Sequence, residues 1–257
     1  MGLDPDLSKI PAFIKNKYPD SSTEQIKAFL LPIIEKISDH VLCYKPNIAF
    51  FESLGWEGYK VLEEVLSHIP KEIAILLDAK RGDIGNTSER YAEAYFSTLN
   101  VDAVTLSPYM GSDSFLPYTR YPGKQIFLLL KTSNLSASDI QCLKLDDGKH
   151  LYQALASQIK QLNQGFEEKK IGVVVGATDL KILSELRTFL SDEFFLIPGV
   201  GAQGALVAEV QKCLRESSVE AGPEKSLINM SRAVLYASND QDYLNKALEV
   251  VLKFKEF

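Results

Sequence analysis

Cysteine is scarce in this chain, and so is histidine. Three of each are scattered over 257 residues, with no Cys-x-x-Cys pair and no His-Glu-x-x-His run. Cys43, Cys142 and Cys213 therefore offer neither a disulfide framework nor a zinc clip and read as reduced thiols. His40, His68 and His150 fall at or near the ends of expected helices, where solvated or capping roles suffice. Excess positive charge is missing too. With 28 Lys and Arg against 34 Asp and Glu, the net charge is -6, which argues against general nucleic-acid binding. A local site for an anionic ligand stays open. No apolar run approaches the roughly 18 residues of a membrane span. The opening Gly2-Leu3-Asp4-Pro5-Asp6 lacks the charged-then-apolar order of a secretory signal, and Asp6 stands where N-myristoylation wants Ser or Thr. A cytoplasmic protein that engages neither nucleic acid nor membrane is expected. No Gly-rich dinucleotide fingerprint opens the chain, and no linker or low-complexity tract divides it.

What is present is a rhythm. Short apolar runs at 41–45, 73–80, 103–107, 126–131, 171–175, 194–198 and 227–230 read as buried strands. Amphipathic stretches at 24–38, 58–68, 87–98, 151–162, 179–190, 205–214 and 240–253 read as helices between them. Ile26, Phe29, Leu30, Ile33, Ile34 and Ile37 form one stripe of the first. Asn86 with Glu89 has the spacing of a helix N-cap box. Strand and helix alternating from end to end predict a parallel sheet covered by helices. Met1-Gly2-Leu3 supplies an eighth strand, and eight units in 257 residues predict an α/β fold, a (β/α)8 TIM barrel forming a single domain over 1–257. A barrel strand needs about five residues, yet only three precede Asp4. Either the first strand is truncated at the N-terminus and the natural protein begins upstream, or a short strand is patched by its neighbours.

Barrel enzymes place their chemistry at the carboxyl ends of the strands, so polar residues that close the apolar runs are the candidates. They are Asp4; Lys45 in Lys45-Pro46-Asn47; Asp78 and Lys80; Ser107-Pro108-Tyr109; Lys131-Thr132-Ser133-Asn134; the loop from Pro198 through Gln203 to Gly204; and Asn229-Met230-Ser231-Arg232. Loops after strands seven and eight often bind phosphate in such barrels. Gly199, Gly201 and Gly204 would let backbone N–H groups approach an anion. Gln203 can donate two hydrogen bonds and Arg232 offers a bidentate fork. The Ser133 hydroxyl can donate and accept, which suits an amide-like ring edge; a helix-capping serine is the plain alternative.

Asp78-Ala79-Lys80-Arg81-Gly82-Asp83 carries the most information. Strand alternation is expected to point Asp78 and Lys80 the same way, with Asp83 following in the loop. Two carboxylates then bracket one ammonium, and burying three charges is costly unless they are paired and useful. Such clusters mark functional sites.

Asp78-Ala79-Lys80-Arg81-Gly82-Asp83-Ile84-Gly85 resembles the DxKxxDI signature of the orotidine 5′-phosphate decarboxylase family, in the DAKRGDIG form of its bacterial branch. Gly2-Leu3-Asp4-Pro5-Asp6, Lys45-Pro46-Asn47, Thr132-Ser133-Asn134 and Pro198-Gly199-Val200-Gly201-Ala202-Gln203-Gly204 fit the same family in the right order. The resemblance covers the chain from residue 2 onward. It implies a homodimeric (β/α)8 barrel that converts orotidine 5′-monophosphate to uridine 5′-monophosphate, the last step of de novo pyrimidine synthesis, with no metal and no organic cofactor. By motif position it implies Lys80 as proton donor to C6 and Asp78 beside the leaving carboxylate. Asp83 and Thr87 would reach into the partner subunit's site. Asp4 and Lys45 would contact the ribose, Ser133 the pyrimidine, and Gln203 and Arg232 the phosphate, with Ser231 counted among the substrate-binding residues. Neighbouring carboxylates would keep the Lys80 ammonium charged. Metal-dependent sugar-phosphate enzymes share the Asp-x-Lys-x-x-Asp run, and a non-catalytic nucleotide-binding barrel would keep the phosphate loop without it.

Overall fold

The computed structural model of the chain describes residues 1–200, 206–217 and 225–255. Strands β1 (Gly2–Leu3), β2 (Cys43–Pro46), β3 (Ala74–Arg81), β4 (Ala103–Leu106), β5 (Gln125–Lys131), β6 (Ile171–Val175), β7 (Phe195–Ile197) and β8 (Ser226–Ile228) run in chain order through one eight-stranded sheet. A helix follows each: α1 (Ser22–Ile37), α2 (Gly55–His68), α3 (Gly85–Glu93), α4 (Leu116–Thr119), α5 (Leu151–Gln164), α6 (Leu180–Phe189), α7 (Val207–Ser217) and α8 (Tyr243–Lys255). Parallel neighbours need such crossovers, because no tight turn can return the chain to the same end. The expected α/β alternation is therefore present, and its strand bounds agree with the apolar runs to within about three residues.

By compactness the chain divides into two units. The first holds Met1–Ala79, Ser97–Asp102 and Met230–Phe257. In it β1 pairs with β2 in the register Gly2↔Lys45 and Leu3↔Pro46, and β2 with β3 through Cys43↔Ala74 and Tyr44↔Ile75. The two-residue β1 is carried by these neighbours: the Gly2 N–H donates to the Met230 carbonyl at 2.6 Å and the Lys45 N–H to that of Met1 at 2.7 Å. α1 begins where Ser21 Oγ accepts from the Glu24 N–H, and the six apolar residues of its stripe are all fully buried. Phe29 on that stripe stacks on Tyr236 and Tyr243 at 5.6 and 5.8 Å.

The second unit holds Lys80–Phe96 and Ala103–Asn229. Here β4 to β8 pair consecutively and in parallel. Phe127, Leu128, Val173 and Phe195 in these strands are at most 1% exposed. Gly172 in β6 is obligatory, because a Cβ there would lie 2.8 Å from the Phe127 ring and from the Phe194 carbonyl. Asn163, the penultimate residue of α5, is fully buried and clamps the start of β6. Its Nδ2 donates to the Ile171 carbonyl at 2.8 Å and its Oδ1 accepts from the Ile171 N–H at 3.1 Å.

Three expectations need correction. Asn86 does not cap a helix: α3 starts at Gly85, after Ile84, so Asn86 lies inside it and no side chain caps that end. The helix expected over 87–98 is α-helical only to Glu93, and Ala94–Thr98 widens into a π turn. Tyr95 and Phe96 in that turn are both buried. Finally, the apolar pattern gave no helix between β4 and β5, where α4 is a single turn opened by Pro117.

Candidate active site

In the first unit the charges at the strand ends meet. Lys45 in β2 and Asp78 in β3 form an ion pair with Nζ donating to Oδ2 at 2.9 Å; the residues are 5% and 8% exposed. Backbone contacts hold the pair. The Ile48 N–H donates to the Asp78 carbonyl, and Asn47 bridges to Asp78. Breaking a pair this deep leaves an uncompensated charge, which costs about 3–5 kcal/mol.

The same unit leaves polar atoms unused. Asp4 Oδ1 and Ser231 Oγ are buried and have no hydrogen-bond partner. Ser231 precedes the short helix Arg232–Leu235 as its N-cap, yet its hydroxyl makes no capping bond. Buried polar atoms without partners are rare and call for an explanation; a ligand's hydroxyl or phosphate group is one. The Tyr236 hydroxyl fixes the segment leading from β1, donating to the Asp4 carbonyl at 3.0 Å and accepting from the Asp6 N–H at 2.7 Å. Burial pushes that phenol up to about 12. Arg232 is exposed.

In the second unit Lys80 is the conspicuous residue. Its φ is 48°, in the left-handed region. Among the described residues only Asn100 shares this with it outside glycine. Asparagine tolerates that region, whereas lysine is there at a cost of about 1–3 kcal/mol. Period two holds only for extended backbone, and Lys80 leaves it, so strand alternation does not fix the direction of its side chain; the residue is exposed. Asp83 is half-buried and its Oδ1 accepts from the Ile84 N–H at 2.8 Å; Thr87, in the first turn of α3, is exposed.

Ser133 follows β5, half-buried. Gln141 clips the residue before it, its Oε1 accepting from the Thr132 N–H and its Nε2 donating to Thr132 Oγ1, both at 2.9 Å. Gly176, just past β6, lies against Ser133: a Cβ there would come within 2.7 Å of the serine Cβ. Gly199 opens the loop after β7 with φ 92°. Gln203, Gly201 and Gly204 lie outside the described residues. Thr105, Gln141 and Gly176 were not among the residues singled out by sequence, because each acts on a neighbour's backbone and none closes an apolar run with a charge.

A family model described as orotidine 5′-phosphate decarboxylase / HUMPS matches residues 20–247. The chain belongs to this family. Among orotidine 5′-phosphate decarboxylases, that of Herpetosiphon aurantiacus is 40% identical over 255 residues, covering 99% of this chain and 90% of its own. That of Flavobacterium johnsoniae is 39% identical over 259 residues, covering 100% and 90%. The solved structure of Leishmania donovani OMP decarboxylase superposes with a TM-score of 0.80 at 34% identity, over 100% of this chain and 92% of that one. The stretch matched by the decarboxylase family model contains Lys45, Asp78, Lys80, Asp83, Thr87, Ser133, Gln203, Ser231 and Arg232; Asp4 precedes it.

Proposed function

We propose that this chain decarboxylates orotidine 5′-monophosphate to uridine 5′-monophosphate and CO2 in pyrimidine biosynthesis. The observation that carries the reading is the buried Lys45–Asp78 pair, followed two residues on by a lysine in a left-handed conformation. It stands in a chain 40% identical to a decarboxylase over 99% of its length.

Each residue then has a task. The C6–carboxylate bond breaks, CO2 leaves, and the electron pair stays on C6. Lys80 gives that carbon a proton, and the neutral amine regains one from water. Asp78 lies beside the departing carboxylate. Its pairing with Lys45 fixes the carboxylate in place, where it repels the carboxylate of the substrate, while the Lys80 ammonium stabilises the negative charge that develops at C6. Asp4 and Lys45 address the ribose hydroxyls, and the orphaned Asp4 Oδ1 supports this. Ser133 reads the pyrimidine edge. Gln203, Ser231 and Arg232 hold the phosphate, whose binding energy is spent at the reacting carbon. Each tenfold gain in rate needs about 1.4 kcal/mol, so no one contact suffices. The reaction needs no metal or organic cofactor.

The architecture belonging to this reading is a single-domain (β/α)8 barrel over residues 1–257. It acts in the cytoplasm as a homodimer in which Asp83 and Thr87 complete the partner's site.

Loss of orotate-ring absorbance on incubation with orotidine 5′-monophosphate tests the reading. Turnover should persist in EDTA, and Lys80→Ala should abolish it while the variant still binds the nucleotide. No absorbance change with the unaltered chain removes the decarboxylase reading. Near-normal turnover by Lys80→Ala removes Lys80 as the acid. Chelator-sensitive turnover of a sugar phosphate instead would assign the chain to the metal-dependent side of its family.

A further inference from the structure

We propose that Thr105 is a positioning residue that holds Lys80 in its left-handed conformation. The inference rests on the decarboxylase reading, in which Lys80 delivers the proton. A lysine with φ 48° needs an external hold, since its own side chain gains nothing from that backbone. The hold comes from β4. The Lys80 N–H donates to Thr105 Oγ1 at 3.0 Å, where an extended strand would offer a backbone carbonyl. One residue on, the Arg81 carbonyl accepts from the Ser107 N–H at 2.7 Å. The turn is thus gripped on both sides by residues two apart.

Thr105 suits this task. It is the one polar residue in β4, whose sequence is Ala-Val-Thr-Leu, and it is 1% exposed. A buried hydroxyl in an apolar strand is costly unless it is used. Threonine is also stiff at χ1, so Oγ1 is delivered at a fixed point rather than sampled. Its backbone is locked in register opposite Phe127 of β5. The acceptor for Lys80 is therefore built on the rigid sheet, and the direction in which the lysine leaves its strand is set by β4.

The test compares Thr105→Val, which keeps the shape and removes the acceptor, with Thr105→Ser, which keeps the acceptor. Both are made in the full chain and assayed by orotate-ring absorbance. Thr105→Val should lose about 10²-fold in kcat, the order expected for a reacting group misplaced by about 1 Å, with KM for orotidine 5′-monophosphate and affinity for uridine 5′-monophosphate little changed. Thr105→Ser should recover most of that loss. A valine variant with kcat within about twofold of the unaltered chain overturns the proposal, because a positioning bond is worth more than that. So does a serine variant as impaired as valine, or a loss that falls on KM and kcat together; either means packing alone. Should the valine variant fail to fold, Thr105→Ala is read by the same criteria. Failure of both to fold makes the role structural and also overturns the proposal. Absence of turnover by the unaltered chain would strike the decarboxylase reading itself, an outcome visible before any variant is compared.

Discussion

Gly176 shows how closely the residues behind the site are fitted. A methyl group there would meet the Ser133 Cβ, N and Cα at 2.7 to 2.9 Å, and two of those three atoms are backbone that cannot swing aside. Gly176→Ala should therefore displace Ser133 and raise KM for orotidine 5′-monophosphate by about tenfold, with a smaller effect on kcat, as expected when a substrate-reading group moves and the proton donor does not. Steady-state kinetics, with circular dichroism to confirm folding, checks this. At this scale the sequence was legible where chemistry and burial conflict. Lys45, Asp78 and Lys80 could be singled out because a charge that closes an apolar run is costly unless it is used, but the pairing of Lys45 with Asp78 was not foreseen. Gly176 and Thr105 were not legible. Their importance lies in the room left for, or the acceptor offered to, a residue more than twenty positions away, and no local pattern records that. Lys80 was found for its charge, but its left-handed backbone was not foreseen.

At the scale of elements, apolar runs located the seven strands after β1; those buried throughout, such as β4 and β6, need nearly continuous hydrophobicity. The helices were legible to the extent that their stripes were. α1 displays six buried apolar positions and was read nearly to its ends, whereas α4 is one turn long and has no period to read. The connection into β6 depends on a single polar side chain. Removing the amide in Asn163→Ala would leave an N–H and a C=O of Ile171 without their partners in the interior, a cost of roughly 2–4 kcal/mol. Urea denaturation should show a lowered midpoint with an unchanged slope. Asn163→Asp should be nearly as damaging, since a carboxylate still accepts from the Ile171 N–H but cannot donate to its carbonyl.

For the whole molecule, family membership rests on a match that spans nearly the entire chain, and the ordered set of strand-end motifs was enough to anticipate it. Assembly was anticipated only through that resemblance, because a partner's residues leave no periodic trace in one sequence. It can be tested without a structure of the dimer. Asp83→Ala and Lys80→Ala should each be inactive alone; mixed under conditions of subunit exchange they should regain up to about a quarter of full activity, since half the dimers are hybrids and each hybrid has one intact site. A mixture that exchanges subunits and stays inactive would argue for self-sufficient sites. The left-handed lysine bears on the stability of the entire chain. Glycine would occupy position 80 without the conformational cost that lysine carries. Directed evolution of this gene for heat tolerance alone would accordingly drift toward glycine at that codon and enrich sturdy but inert clones, so any such screen has to be coupled to growth without uracil.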